Sequence, residues 1–266
     1  FDSIARRGFT EIVCVHHEQA ACMAMQTYYR TNGVVTASIL TTGGGSTNGV
    51  TGVVSAWMDS IPGVIISGNE NSKYTTDENP LRIWGVQGYD SVRMIKGVTK
   101  YAARVLDVAQ IHSELEKAFS ISIQGRPGPC WLDVPMNIQS TQVEPSGQKG
   151  STTLPTMIDD APLQSDIERV LGLLSNARRP LLWLGHGIRL AGAVDMIETF
   201  LDRFKIPSLV SWAGIDMVDS HHPLVYGRAG VYGQRCANFI LQNCDFLLTI
   251  GTRMAIPQVG YELGEF

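Results

Sequence analysis

The chain has 266 residues, 44% hydrophobic and 17% charged, with a formal net charge of -4, a balance that suits a folded protein of one or two domains. A pI near 5.9 without any basic stripe argues against a nucleic-acid partner, and no apolar run reaches the roughly 18–20 residues that cross a bilayer. Five irregularly spaced cysteines predict buried free thiols in a reducing, cytoplasmic setting.

In chain order, residues 1–8 read as the tail of a helix stopped by Gly8. Short apolar strands are predicted at 12–15, 34–40, 63–67, 98–102 and 130–134, with helices at 18–31, 46–60 and 108–123. That alternation gives parallel strands flanked by helices. In the first long helix, Ala21, Cys22, Met25 and Tyr29 share a face with Glu18, which stands at the N-terminal end of the buried stripe. Residues 136–162 lose periodicity and fill with Gln, Ser, Thr, Pro and Gly, the composition of an interdomain linker. Beyond it come a helix at 166–174, a strand at 180–185, a helix at 191–204, a strand at 207–210, a helix at 235–242 and a strand at 246–250. The predicted architecture is α/β in two domains, 1–135 and 163–266, each a mostly parallel sheet flanked by helices, joined by the 136–162 linker. With no strand before Gly8 and little after the last strand, the second domain reads as incomplete and the chain as a piece of a longer protein.

Two features carry chemistry. Glu18 lies in His17-Glu18-Gln19-Ala20, where the first strand meets the helix, and Thr41-Thr42-Gly43-Gly44-Gly45-Ser46-Thr47-Asn48 follows the second strand. The glycine turn is not a phosphate-binding P-loop, because no Lys follows it. Nor is it a nucleophile elbow, because Ser46 is not followed by the required glycine pattern. What remains is a turn whose backbone can approach a ligand closely, facing the start of a helix. A carboxyl that moves protons in a dry pocket would have its pKa raised.

Together these segments resemble the thiamine-diphosphate enzymes of the acetolactate synthase type, in the half that carries the pyrimidine-binding and central domains. Thr41 to Asn48 is similar to that family's Thr-Ser-Gly-Pro-Gly-Ala-Thr-Asn, with Thr42 at the serine and Gly44 at the proline. The 85–89 stretch, with Gln87, followed by Val98-Thr-Lys100, resembles Phe-Gln-Glu…Val-Thr-Lys, except that Val86 replaces the aromatic residue and Gly88 the acid. Gly125-Arg-Pro-Gly-Pro…Asp133-Val-Pro135 resembles the segment that closes the pyrimidine-binding domain. The resemblance implies that Glu18 hydrogen-bonds a ring nitrogen of the cofactor's aminopyrimidine, so that its exocyclic nitrogen can deprotonate the thiazolium carbon. It implies a 2-keto acid such as pyruvate as substrate, with the cofactor as electron sink after decarboxylation. Thr42, Gly43, Gly44, Gly45 and Asn48 would line the cofactor, and Gln87 would reach cofactor or substrate from a neighbouring subunit.

The family's magnesium–diphosphate motif does not occur in this sequence, so the resemblance implies that metal and diphosphate are held by a domain outside this chain, in a homodimer or homotetramer. No Cys/His cluster has zinc spacing, and no metal ligand is assigned. In the second half, Gly185, Gly187 and Arg189, then Gly251 and Arg253, follow strands and are candidates to meet a dinucleotide. FAD, carried by acetolactate synthase in this domain, is one cofactor they would take, although Gly185-x-Gly187 lacks the third glycine of a Rossmann fingerprint. Two other readings stay open at this point: a non-catalytic assembly or regulatory homologue, and a flavin- or NAD-binding protein.

Overall fold

A computed structural model describes residues 2–8, 10–75, 80–143, 164–262 and 264. The chain divides into two compact units, Phe1–Ile158 and Asp159–Phe266.

The first unit contains helices α1 (Asp2–Arg7), α2 (Glu18–Asn32), α3 (Gly44–Asn48), α4 (Val50–Met58), α5 (Ser91–Ile95), α6 (Ile111–Ile123) and α7 (Met136–Gln139). Its strands are β1 (Ala37–Leu40), β2 (Gly63–Asn69), β3 (Tyr101–Arg104) and β4 (Pro129–Pro135), all parallel in the order β1-β2-β4-β3. Every residue of β4 is buried, as expected of an inner strand covered on both faces. Alternation sorts the side chains. Leu40, Ile65 and Trp131 pack with Cys22, Met25, Val53 and Ile95 on one face, while Val64, Cys130 and Leu132 pack with Ala118 on the other. Helix α2 ends where Gly33 takes a left-handed φ of 69° and its N–H caps the Tyr29 carbonyl. Its buried face crosses α4 at very short range, since a Cβ on Gly52 would lie 2.4 Å from that of Cys22. Gln26 seals the crossing: its Nε2 donates to the Gly52 carbonyl at 2.8 Å and its Oε1 accepts from Ser55 at 3.1 Å.

The second unit is built from α8 (Gln164–Asn176), β5 (Pro180–Leu184), α9 (Gly187–Leu190), α10 (Ile197–Phe204), β6 (Ser208–Val210), α11 (Arg235–Asn243), β7 (Phe246–Ile250) and α12 (Ile256–Val259). Its strands are parallel in the order β6-β5-β7. Leu182, Leu184, Ile197, Leu201 and Val210 fill one side, and Leu181, Trp183, Leu209 and Ala237 the other.

Several expected elements differ. Residues 12–15 form no strand, and Val13 is 75% exposed; a β-branched run without a neighbouring strand has nothing to pair with. The helix expected at 46–60 is two, α3 and α4, separated at Gly49, and residues 108–110 are a 3₁₀ turn leading into α6. Residues 136–139, expected in the linker, are helix α7, whose Ile138 packs with Val105 and Val134. Residues 144–163 of that linker lie outside the described residues. The helix expected from 191 starts at Ile197, because Gly192 at φ 68° ends the preceding turn. Cys22 and Cys130 are buried, but Cys14 and Cys236 are exposed, so burial of the thiols holds only in part.

Candidate functional site

In a parallel sheet the loops after the strands converge on one edge, where ligands of such folds bind. The glycine turn follows β1, and Glu70 follows β2. Glu18 is the first residue of α2, partly exposed, and its Oε2 accepts a 2.9 Å hydrogen bond from Asn48 Nδ2. The same amide lies 3.2 and 3.3 Å from the two ring nitrogens of His17. Glu18 Oε1 lies over the turn, 2.8 Å from where a Cβ on Gly45 would stand. The Asn48 amide, aided by a backbone N–H at the helix start, holds the Glu18 carboxyl below the ordinary 4.5. The expected rise is thus reversed in this chain: donors to the anion outweigh its desolvation.

The turn is tightly organised. Gly43, buried, has φ 63° and ψ -131°, a conformation strained for any residue with a side chain. A Cβ there would lie 2.8 Å from the Gln87 carbonyl and 2.9 Å from its Cβ. Gln87, itself exposed, therefore packs on the glycine turn of its own chain. The Ser46 hydroxyl donates to the Gly43 carbonyl at 3.0 Å and pairs with the Tyr89 hydroxyl at 2.8 Å. Gly44 faces open space, and the Thr42 hydroxyl is buried with no hydrogen-bond partner among the described residues. Helix α3 has five residues, too short to supply much of a helix dipole. The structure thus brings Glu18, Asn48, Thr42, Gly43, Gly44, Gly45 and Gln87 around one turn.

Beneath the turn is a buried polar network that the sequence did not single out. Asp133, fully buried, accepts through Oδ2 from Asn69 Nδ2 (2.7 Å), Ser91 Oγ (2.7 Å) and Arg104 Nε (2.9 Å). Arg104 also donates to the Thr75 carbonyl and to Asp90, and its guanidinium lies 4.6 Å from the Trp84 ring centre. Burial pushes the Asp133 carboxyl up, against the downward pull of those three donors. The signal for this network was an acid inside an apolar strand, a position that needs partners. Asn69 Nδ2 further bonds the Tyr89 carbonyl, tying the network to the loop that carries Gln87.

The second unit gathers its candidates differently. The Gly185 N–H donates to the Ile250 carbonyl and the Gly187 N–H to the Gly251 carbonyl, both at 2.8 Å. A Cβ on Gly185 would lie 2.4 Å from the Gly251 oxygen, and one on Gly251 2.6 Å from the Ile188 nitrogen. The loops after β5 and β7 thus fill each other's missing side chains with backbone. Arg189 pairs with Asp216 at 2.7 Å, and Arg253 follows Thr252 in the second loop.

Among the described residues, no group of three or more His, Cys, Asp or Glu side chains is arranged to hold a metal ion, and no helix is long and apolar enough to cross a membrane.

Residues 1–94 match the thiamine pyrophosphate enzyme N-terminal TPP binding domain, and residues 167–266 match the central domain of the same enzymes. The chain is 30% identical over 257 residues to the acetolactate synthase isozyme 2 large subunit of Escherichia coli (strain K12), covering 95% of this chain and 44% of that protein. It is 28% identical over 256 residues to the large subunit from Lactococcus lactis subsp. lactis (strain IL1403), covering 95% and 43%. With acetolactate synthase of Arthrospira platensis it shares 33% over 248 residues, covering 90% and 41%. The chain therefore spans less than half the length of these relatives. With both domain profiles matched and Glu18 seated at the glycine turn of the first, the chain belongs to the thiamine pyrophosphate enzymes.

Proposed function

We propose that this chain is the pyrimidine-binding and central portion of a thiamine-diphosphate-dependent carboligase or decarboxylase that acts on a 2-keto acid such as pyruvate, as acetolactate synthase does. The observation that carries the reading is the carboxylate of Glu18, oriented by Asn48 and poised 2.8 Å from the Cβ position of Gly45. The residues present fit the cofactor's aminopyrimidine: an open face at Gly44, a buried unpaired hydroxyl at Thr42 and an acid aimed across the turn.

When bound, thiamine diphosphate supplies the carbon acid that adds to a keto group and the electron sink for decarboxylation. Glu18 would hold and exchange a proton toward the cofactor's aminopyrimidine, Asn48 fixes the direction of its carboxyl, and Gly43 and Gly45 would let the backbone come close to the ring. Gln87 presents an amide to the reacting groups. Magnesium and the diphosphate are held by residues outside this chain. The active form is a homodimer or homotetramer in the cytoplasm. The mutual filling of the glycines at 185, 187 and 251 makes them a structural clasp rather than an open cradle for FAD. Flavin absorbance of the purified complete protein would overturn that part of the reading.

Glu18→Gln in the complete protein tests the whole proposal. The amide keeps the shape and removes the proton exchange, so keto-acid turnover should fall about 10²- to 10⁴-fold with the fold retained. Wild-type turnover by that variant sinks the mechanism.

A further inference from the structure

We propose that Glu70 is the positioning residue for Gln87: its carboxylate is the hub around which the turn from Trp84 to Gly88 is wound. The role in turnover rests on the functional reading above; the role in the turn does not.

Glu70 Oε1 accepts hydrogen bonds from the backbone N–H groups of Val86 (3.0 Å) and Gln87 (3.3 Å). The turn is closed by reciprocal backbone bonds between Trp84 and Gly88, each 2.8 Å. Both glycines of the turn make room for this one side chain. A Cβ on Gly85, at φ 59°, would lie 2.6 Å from the Glu70 carboxyl carbon, and one on Gly88 would lie 2.5 Å from its Cγ. Gly88, which the family resemblance reads only as a lost acid, is thus the space that an acid from the end of β2 occupies. On the other side of the turn, Gln87 is pressed on Gly43. The hub is itself anchored, because the Glu70 N–H donates to Asn69 Oδ1 at 2.9 Å and Asn69 belongs to the buried Asp133 network. A continuous chain of contacts therefore runs from the sheet through Glu70 to the backbone N–H of Gln87.

The test compares Glu70→Leu, which has no acceptor, with Glu70→Gln, which keeps one, in the complete protein. Deuterium uptake at the amides of Val86 and Gln87 reads the turn. Steady-state kcat, KM for pyruvate and the Kd for thiamine diphosphate read its consequence. Losing two hydrogen bonds to a charged acceptor should speed uptake at both amides about tenfold or more and lower kcat by a similar factor. The Kd for thiamine diphosphate should stay near the wild-type value, and Glu70→Gln should recover most of both losses. If Glu70→Leu does not fold, Glu70→Asp withdraws the oxygen from the turn and gives the same reading. Adding Glu70→Leu to Gln87→Ala should cost no further turnover, since the first acts through the second. Unchanged uptake in Glu70→Leu, or a loss in Glu70→Gln as large as in Glu70→Leu, overturns the proposal. A wild-type protein without keto-acid turnover overturns the functional reading instead, and uptake still decides whether Glu70 holds the turn.

Discussion

Two sets of glycines follow strands in this molecule, and they are used in opposite ways. At 45 the missing side chain leaves room for the ends of two other side chains, Thr41 and Glu18, while Gly43 lies against the carbonyl and Cβ of Gln87. At 185, 187 and 251 the room is taken by main chain from the facing loop. A side-chain tip can rotate away and admit a ligand; a backbone strand cannot. The same residue type therefore makes an adjustable surface in the first unit and a fixed joint in the second.

The sharpest break of this contrast is Gly185→Ala. Its Cβ would meet Gly251 and Thr252 backbone at 2.4–2.5 Å, so the second unit should lose about 1–3 kcal/mol, the cost of overpacking a rigid site. Hydrogen exchange across β5 and β7 measures this within the unit, which a single melting curve of a multidomain chain does not. Gly45→Ala should cost less stability, about 1 kcal/mol, because its close neighbours, Thr41 Cγ2 at 2.3 Å and Glu18 Oε1 at 2.8 Å, are side-chain atoms. Its turnover in the complete protein should nevertheless fall clearly, since the displaced group is the carboxyl. Equal stability losses in the two variants would remove the distinction. The mildest change is Asn48→Ala, which deletes the donor to Glu18. The pKa of Glu18, now held down, should rise toward 4.5, read by NMR titration of the side-chain carboxyl. A depressed folded-state pKa stabilises above the unfolded value and is lost as pH falls through the folded one. The stability gap between wild type and Asn48→Ala should therefore close on acidification.

The glycine turn and most elements of both sheets were legible in the sequence because they depend on local pattern: apolar strands, a glycine at the end of some helices and strands, an acid at a helix start. What was not legible depends on partners far along the chain. The 12–15 run has strand propensity but no strand to pair with. The direction of the Glu18 shift hangs on an amide 30 residues away. Glu70 carries no motif, and its meaning appears only when β2 ends beside the 84–88 turn. Gly88 illustrates the limit best, since a residue that looks like a deletion of chemistry is the vacancy that another residue's side chain needs.

Val86 stands at the tip of that turn, 87% exposed, with its backbone N–H held by Glu70, for which Gly85 and Gly88 make room. Its side chain takes no part in holding the loop. Exchanging it should change stability by no more than about 0.5 kcal/mol, as at other surface positions free of special roles. Position 86 is therefore a place where new side chains can be tried beside Gln87 while the fold stays as it is, a ready point of entry for altering what the site selects.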